Sequence, residues 1–361
     1  MTVGWRAMQS EYLHWAKNQP PVRFDLSSSE VSHYRLDELT VTLADLELDG
    51  ASRYRYLPLR QAIGERYGVA AECVVTADGT AMATMLAMAA IISPGDEVLV
   101  ERPTYEPLVA AASFLGATIG RFERRPDSGF GLDPKLVERE LTPDTRLIVL
   151  TNLHNPSGVL ADEPALRAVG ELAARSNAMV LVDEVYLDSA AAPARSAIHL
   201  GERFVATSSL TKVYGLSGLR CGWILAAPHV AERMWRLNEL FGVAQAHAAE
   251  RLGCIAFAHL DEIAAETPAL LDRNRGLYNA FLSGRDDLDG MPMSDGITGF
   301  PSWRGRDAER LNALLRSDYD TSIVPGRWFE LPDHFRVGVG RPTDIFKEGL
   351  ARLGAALDRL R

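Results

Sequence analysis

Two short apolar runs enclose a polar loop in residues 204–226, whose sequence is FVATSSLTKVYGLSGLRCGWILA. The runs at 204–206 and 221–226 predict buried strands. The loop between them carries Lys212, three residues after a serine, and closes on Arg220. A lysine amine that is shielded from water beside a cation is a nucleophile toward aldehydes. An ordinary solvated lysine on a surface loop would give the same local pattern.

The composition narrows the class of protein. The chain has 361 residues, of which 47% are hydrophobic and 24% charged, which is typical of a globular protein of about two domains. The net charge is −10 and no basic cluster indicates nucleic-acid binding. We find neither a signal peptide nor an apolar run long enough for a membrane span. The three cysteines are far apart, without the spacing of a metal site or a disulfide framework, so we expect a reducing, cytoplasmic location and no bound metal.

Apolar strands alternate with helices through the middle of the chain. The predicted strands are 74–76, 97–100, 146–150, 179–182, 204–206 and 221–226, and the helices between them are 81–91, 105–115 and 163–176. Before this region we predict helices at 5–17 and 36–48, a strand at 22–26 and a helix ending at residue 67. Continuous apolar strands between helices predict an α/β fold with a mostly parallel sheet covered on both faces. Ligands bind such sheets beyond the carboxyl ends of the strands.

Residues suited to ligand binding follow the first two of these strands. Gly79, Thr80 and Ala81 open a helix whose free N–H groups can hold a phosphate. Tyr105 follows the second strand and can stack on a ligand ring. An ordinary helix start and a packed aromatic side chain would explain the same residues without a ligand.

The next two strands are followed by an amide and a carboxylate. Asn155 lies in an Asn-Pro-Ser-Gly turn, and Asp183 comes directly after an apolar strand with Tyr186 three residues later. A carboxylate there is costly to bury unless a cation, such as a protonated ring nitrogen, pairs with it. A tight turn and a helix N-cap are the plain alternatives. The complete series, ending in the lysine, describes a site for a phosphorylated aromatic aldehyde with a basic ring nitrogen.

On this series the chain resembles the class I/II aminotransferases, which are fold-type I enzymes that use pyridoxal 5′-phosphate (PLP). The resemblance covers roughly residues 54–340 and rests on Gly79-Thr80, Pro103-x-Tyr105, Asn155-Pro156-Ser157-Gly158, Asp183-x-x-Tyr186, Ser209-x-x-Lys212, Arg220 and Arg336. It implies a mostly parallel mixed sheet sandwiched by helices plus a smaller α+β domain. We expect residues 46–245 to form the large PLP-binding domain, and 1–45 with 246–361 the small one.

The resemblance also implies the roles of the catalytic residues. Lys212 forms the Schiff base with PLP and shuttles the proton, while Asp183 pairs with the pyridinium nitrogen. Tyr186 and Asn155 bond the phenolic oxygen of the ring. Tyr105 stacks on the ring face. The phosphate is held by Gly79, Thr80, Ala81, Ser209 and Arg220. A tyrosine of the neighbouring subunit also reaches the phosphate, and it is Tyr54 or, as the alternative, Tyr56.

Arg336 is the residue that the resemblance assigns to the substrate α-carboxylate, with Asn155 beside it. Apolar residues flank Arg336, although a surface strand could carry such an arginine too. Ser28 lies in a serine run where many relatives carry a glycine, which implies a polar substrate side and makes Ser28 a candidate substrate contact. A second arginine for dicarboxylate substrates remains open among Arg23, Arg55 and Arg327.

The function that the resemblance implies is transfer of an amino group from an L-amino acid to a 2-oxo acid, as part of amino acid metabolism or biosynthesis, by a homodimer with shared active sites. Residues 27–34 and 296–301 are also similar to the capreomycidine synthases, PLP enzymes that cyclise an arginine derivative. A PLP-dependent lyase, cyclase or oxidase is therefore the alternative. A PLP-sensing regulator domain is disfavoured, because we find no basic DNA-binding segment.

Overall fold

The structure, a computed structural model, describes residues 9–34, 39–49 and 53–361. The helices in these ranges are α1 Glu11–Lys17, α2 Leu57–Tyr67, α3 Gly79–Ile91, α4 Glu106–Phe114, α5 Pro134–Glu140, α6 Glu163–Arg175, α7 Pro228–Phe241, α8 His247–Ala258, α9 Leu260–Ala264, α10 Thr267–Ser283, α11 Ala308–Asp318 and α12 Thr343–Arg359. The strands are β1 Phe24–Asp25, β2 Val74–Asp78, β3 Glu97–Arg102, β4 Thr118–Glu123, β5 Thr145–Thr151, β6 Met179–Asp183, β7 Phe204–Ser209, β8 Cys221–Leu225, β9 Thr298–Gly299, β10 Thr321–Ser322, β11 Val324–Pro325 and β12 Phe335–Gly338.

A seven-stranded sheet forms the centre of the molecule, in the order β2-β8-β7-β6-β5-β3-β4. Strand β8 runs antiparallel to both of its neighbours, β2 and β7, whereas β7, β6, β5, β3 and β4 are parallel to one another. The predicted mostly parallel mixed sheet is confirmed. The parallel strands end at one edge, which therefore collects the loops that follow them.

Both faces of the sheet are buried, as the continuous apolar strands predict. Successive side chains of β5 point to opposite faces: Leu147 and Val149 pack with the residues of α3 and α7, while Ile148 and Leu150 pack with those of α6. Helices on each side thus exclude water from the strand backbones. Within the described ranges, no helix combines the length and the hydropathy that a membrane crossing needs.

The N-terminal segment joins the C-terminal part of the chain. Strand β1 pairs in parallel with β10, and the antiparallel strands β11, β12 and β9 form a separate small sheet. Helix α12 packs against α10 and α11 beside these strands. The pairing agrees with a smaller α+β unit built from both chain ends, whose boundaries at residues 45/46 and 245/246 stay a prediction.

Two local expectations differ from the structure, and one strand of the central sheet has no predicted counterpart. The first helix begins at Glu11, after the N-cap Ser10, and the earlier part of the predicted helix lies outside the described residues. The helix predicted over residues 36–48 is wrong for the part described, where Leu43–Leu46 forms only a short 3₁₀ turn and Leu43 is exposed. Strand β4 has no counterpart among the predicted strands. Its residues are mostly half-buried and include a glycine and charged side chains, so the strand lacks the continuous apolar run by which the others are recognised.

We predict that Gly338→Ala destabilises the protein by about 1–3 kcal/mol, a typical cost of overpacking. A Cβ at Gly338 would overlap the carbonyl oxygen of Ser28. This would push residues 26–28 off β12, where Leu26 accepts a 2.7 Å hydrogen bond from the Gly338 N–H. Urea unfolding followed by circular dichroism measures the change. The control is Gly276→Ala in α10, which has open space around it and should leave stability equal or up to about 1 kcal/mol higher; equal effects of the two substitutions would contradict the prediction.

Candidate active site

The carboxyl ends of the parallel strands bring four of the predicted residues to one edge of the sheet. Tyr105 follows β3, Asn155 follows β5, Asp183 is the last residue of β6, and Lys212 lies three residues beyond β7. Neighbouring strands in the order β3, β5, β6, β7 carry them. The topology therefore places residues from distant parts of the sequence around one space.

Asp183 is buried with few partners. Its carboxylate accepts one hydrogen bond, at 3.1 Å, from the backbone N–H of Val185. Burial raises the pKa of Asp183 from its usual 3.8 to about 7; the Val185 bond and the charge of Lys212 lower it, whereas Glu101 raises it further. Such a carboxylate is stabilised by a cation, and a protonated ring nitrogen at this edge meets that requirement.

Lys212 is partly shielded and contacts a residue that sequence analysis missed. Its Nζ atom lies 3.4 Å from Oε2 of Glu30, and the two side chains are 29% and 23% exposed. The backbone is tied as well, because the N–H of Val31 donates to the Lys212 carbonyl at 3.0 Å. The sequence feature that could have identified Glu30 is its position directly after the serine run that we assign to the substrate side.

Gly79, Arg220 and Gly222 form a tight cup at the start of α3. Gly79 has a φ of 78°, and a Cβ there would overlap the guanidinium of Arg220. A Cβ at Gly222 would overlap the backbone of Gly79. The Arg220 Nη2 atom donates to the carbonyl of Asp78 at 2.9 Å, which fixes the cation beside the free N–H groups of the helix. A helix N-terminus with an adjacent arginine suits a phosphate.

Thr80 and Ser209 complete this cup. The Thr80 hydroxyl donates to the Ser209 Oγ atom at 2.8 Å, and that oxygen also accepts the N–H of Thr211 at 3.3 Å. Ala81, the third residue of α3, is exposed at the same helix end. The structure thus brings the predicted phosphate-binding residues of this chain together.

Arg336 is buried and surrounded by neutral groups. Its Nη1 donates to Asn155 Oδ1 at 3.0 Å, and its Nη2 donates to the Tyr12 hydroxyl at 3.0 Å and to the Ser27 carbonyl at 3.1 Å. The Nε–H has no hydrogen-bond partner, and the guanidinium lies 5.2 Å from the ring centre of Phe329. A buried cation with an unused donor suits a carboxylate.

Aromatic rings line the space beside Arg336. The edge of Tyr12 meets Tyr105 at a centroid distance of 5.7 Å and Trp328 at 6.0 Å. Tyr186 is buried and lies close enough to interact electrostatically with Arg336 and Tyr105. Tyr12 was missed by sequence analysis, because nothing in a short amphipathic helix shows which distant residue it will contact.

His154 is a structural link in this region. It is fully buried, its Nε2 lies 2.9 Å from the Pro103 carbonyl and its Nδ1 lies 2.7 Å from the Ser157 hydroxyl. Burial and the nearby charge of Arg124 hold the pKa of His154 well below its usual range, so the ring is neutral. It joins the loops that carry Tyr105 and Asn155.

Three residues predicted to contact substrate or cofactor do not lie among the site residues of the same chain. Ser28 is half-buried, and its carbonyl oxygen lies against the Cα of Gly338. Tyr54 is 43% exposed and its hydroxyl donates to Glu239 at 2.6 Å. Tyr56 is buried and accepts a 3.1 Å hydrogen bond from Arg251. Their roles stay predictions.

Comparison with known proteins supports the reading of this geometry. Residues 21–353 match the model of the family described as aminotransferase class I and II. The chain belongs to the class I and II aminotransferases. Capreomycidine synthase of Streptomyces vinaceus is 30% identical over 354 residues, covering 92% of this chain and 89% of that protein. Arginine–pyruvate transaminase AruH of Pseudomonas aeruginosa is 26% identical over 310 residues, covering 82% and 79%. The solved PLP-dependent cyclase OrfR has a TM-score of 0.88 and 25% identity over 98% of both chains.

This aminotransferase-family chain uses PLP, and its residues fit that cofactor. The cup of Gly79 and Arg220 suits the phosphate, the buried Asp183 suits the ring nitrogen, and the partly shielded amine of Lys212 suits the aldehyde. When bound, PLP supplies a ring that takes up the electron pair released from the substrate Cα. The predicted family, fold type and cofactor are confirmed.

We predict that Asp183→Asn stabilises the cofactor-free protein increasingly as pH rises from about 4 to about 7. Because the folded-state pKa of Asp183 is raised from 3.8 to about 7, the wild-type loses folding stability as the pH rises through this interval, and asparagine does not. The melting temperatures of both proteins, measured from pH 4 to pH 8, give the difference. Asp289→Asn is the control, since pairing with Arg304 holds the pKa of Asp289 below its usual 3.8 and its effect should stay constant from pH 5 to pH 8. A flat difference for Asp183→Asn would contradict the assignment.

Proposed function

We propose that the protein is a PLP-dependent aminotransferase that transfers an amino group from an L-amino acid to a 2-oxo acid. The observation that carries the proposal is the buried guanidinium of Arg336 with its unpaired Nε–H. This cation is one hydrogen bond from Asn155, at the sheet edge that also carries Asp183 and Lys212. An α-carboxylate held by Arg336 brings the substrate amine and Cα toward Lys212.

Each residue has a defined task in this proposal. Arg336 binds the α-carboxylate, and because Asn155 uses its Oδ1 to hold Arg336, its amide N–H₂ is left to donate to the phenolic oxygen of the cofactor. Tyr186 is the second donor to that oxygen. Asp183 keeps the ring nitrogen protonated, and Nζ of Lys212 carries the proton removed from the substrate Cα.

A second function on the same site is cyclisation, elimination or oxidation of an amino acid. It is favoured by the similarity to capreomycidine synthase and to the cyclase OrfR over nearly the whole chain. The residues that hold the cofactor serve either reaction, because the protein decides chiefly which substrate bond is oriented for cleavage. The product therefore separates the two functions.

We expect the PLP-loaded protein, mixed with single L-amino acids and no oxo acid, to give pyridoxamine phosphate and one equivalent of 2-oxo acid with its true donor. Stopped-flow absorbance and product analysis measure both. Retention of the PLP spectrum with ammonia, a cyclic product or peroxide would refute transamination and support the second function. A protein that responds to no amino acid would refute both.

Lys212→Ala provides the control for this experiment. It should fold, lack the PLP adduct that borohydride fixes to the wild-type protein, and show no turnover. Peptide mapping after reduction locates the adduct. A borohydride-fixed adduct that persists in the variant would show that another amine holds the cofactor.

We further propose that the enzyme works as a homodimer with shared active sites in the cytoplasm. Exposed apolar residues lie at the end of α7 and just after it, with Leu240 82%, Phe241 51% and Val243 57% exposed. The same segment reaches the phosphate cup, since Gln245 donates to Asp78 at 2.9 Å. The exposed ring of Tyr54 supports its assignment to the neighbouring site over the buried Tyr56. The three cysteines are unpaired, as a reducing compartment would keep them.

We predict that Leu240→Asp shifts the protein from dimer to monomer. A charge on a residue that a partner would bury opposes association, because the carboxylate loses its hydration without gaining a partner. Light scattering coupled to size-exclusion chromatography gives the mass. Met291→Asp, at a residue that is 56% exposed and distant from α7 in the sequence, is the control and should leave the mass unchanged. A wild-type monomer, or a dimer unaffected by Leu240→Asp, would contradict the proposed interface.

A further inference from the structure

Residues 26–32 run between the two cations of the substrate site. The Ser27 carbonyl accepts a hydrogen bond from Arg336 at 3.1 Å, and four residues later the Val31 N–H donates to the Lys212 carbonyl at 3.0 Å. Glu30 lies between these two contacts. A substrate whose carboxylate is on Arg336 and whose amine is at Lys212 therefore has this segment alongside it.

The backbone of the segment is held in place by close contacts. The Ser32 N–H donates to the Gly340 carbonyl at 3.2 Å. A Cβ at Gly340 would overlap the Glu30 carbonyl, and a Cβ at Gly215 would overlap the Ser32 carbonyl. The chain on both sides thus lies directly against the segment, so Glu30 is presented from a fixed position.

Glu30 brings a carboxylate into the site. Its side chain is 23% exposed, and the cation it contacts within the described part of the chain is the ammonium of Lys212, 3.4 Å away. Lys212 is also the amine that the cofactor requires. When that amine is engaged, the shielded carboxylate needs another cation, since an unpaired charge in such a position is costly.

The three arginines considered for acidic substrates have other partners within this chain. Arg55 is paired with Glu232 at 2.6 Å, Arg327 is paired with Glu309, and Arg23 lies over the ring of Phe24 at 5.2 Å. Glu30 instead gives the substrate side of Lys212 a negative charge. This charge complements a basic amino acid and repels an acidic one.

We infer that Glu30 is a specificity-determining residue that binds the cationic side chain, guanidinium or primary ammonium, of the amino acid substrate. The inference rests on the proposed function, because it assumes that Arg336 and Lys212 hold the two ends of an amino acid. It adds the substrate class, a basic L-amino acid, and assigns its recognition to one carboxylate.

Binding of non-reacting analogues to the PLP-loaded protein tests the inference without turnover. The probe is 5-guanidinopentanoate, which has the carboxylate and guanidinium of arginine without the amine, and its uncharged counterpart is 5-ureidopentanoate. We expect calorimetry to show about tenfold or greater preference for the guanidinium compound, and Glu30→Gln to remove most of that preference. Glu30→Asp should keep part of it. Glu140→Gln, which removes a surface carboxylate paired with Arg139, should keep all of it.

The reacting amino acids provide the second arm. In the wild-type protein we expect L-arginine or L-lysine to convert the cofactor at lower concentration than citrulline or norleucine, their uncharged counterparts. The basic amino acid that is preferred identifies the side-chain group. Conversion by amino acids without a preference for the charged member, or a preference that survives Glu30→Gln in a folded, PLP-loaded variant, would overturn the inference while leaving the proposed function standing. Failure of every amino acid to react would instead refute the proposed function.

Discussion

The active-site edge depends on a buried ion pair between Arg124 and Glu101, whose Nη1 and Oε2 atoms are 3.1 Å apart and whose side chains are fully buried. Glu101 also accepts the N–H and the hydroxyl of Thr151, at 2.7 and 2.6 Å. The Thr151 hydroxyl oxygen accepts the N–H of Asn155 at 2.8 Å, and Asn155 in turn holds Arg336. One line of hydrogen bonds therefore joins β3 and β5 to β12. Removing either partner of such a pair typically costs about 3–5 kcal/mol, because the other charge is left buried alone.

The charges along this edge are complementary to a phosphorylated ring that carries an amino acid. Cations lie at the start of α3 and in the buried space beside Asn155, where Arg220 and Arg336 are held by neutral oxygens. Carboxylates lie between, with Asp183 buried at the end of β6 and Glu30 against Lys212. Glu101 adds to this field, since its charge contributes to the raised pKa of Asp183. These carboxylates would stabilise a cationic ring nitrogen beside Asp183.

The sequence predicts those features that depend on residues close together in the chain. Apolar runs predicted the buried strands, and the residues directly after them, such as Asp183 and Lys212, could be read off as candidates. Contacts between distant segments could not be read in this way. Tyr12 meets Arg336 across 324 positions, and Glu30 meets Lys212 across 182. The helix predicted over 36–48 failed in its described part because leucines alone do not supply a surface to pack against.

The segment over residues 26–32 separates two tasks within one stretch of chain. Its main chain supports Arg336 through the Ser27 carbonyl and Lys212 through the Val31 N–H. The close approach of Gly340 holds this main chain in place. The side chain of Glu30, whose carboxylate contacts the Lys212 ammonium, makes none of these main-chain contacts. If Glu30 selects the substrate as inferred, mutation at position 30 changes the substrate while the backbone contacts to Arg336 and Lys212 remain. A change of substrate class would then require a new side chain at position 30 and no change in the backbone that holds Arg336 and Lys212.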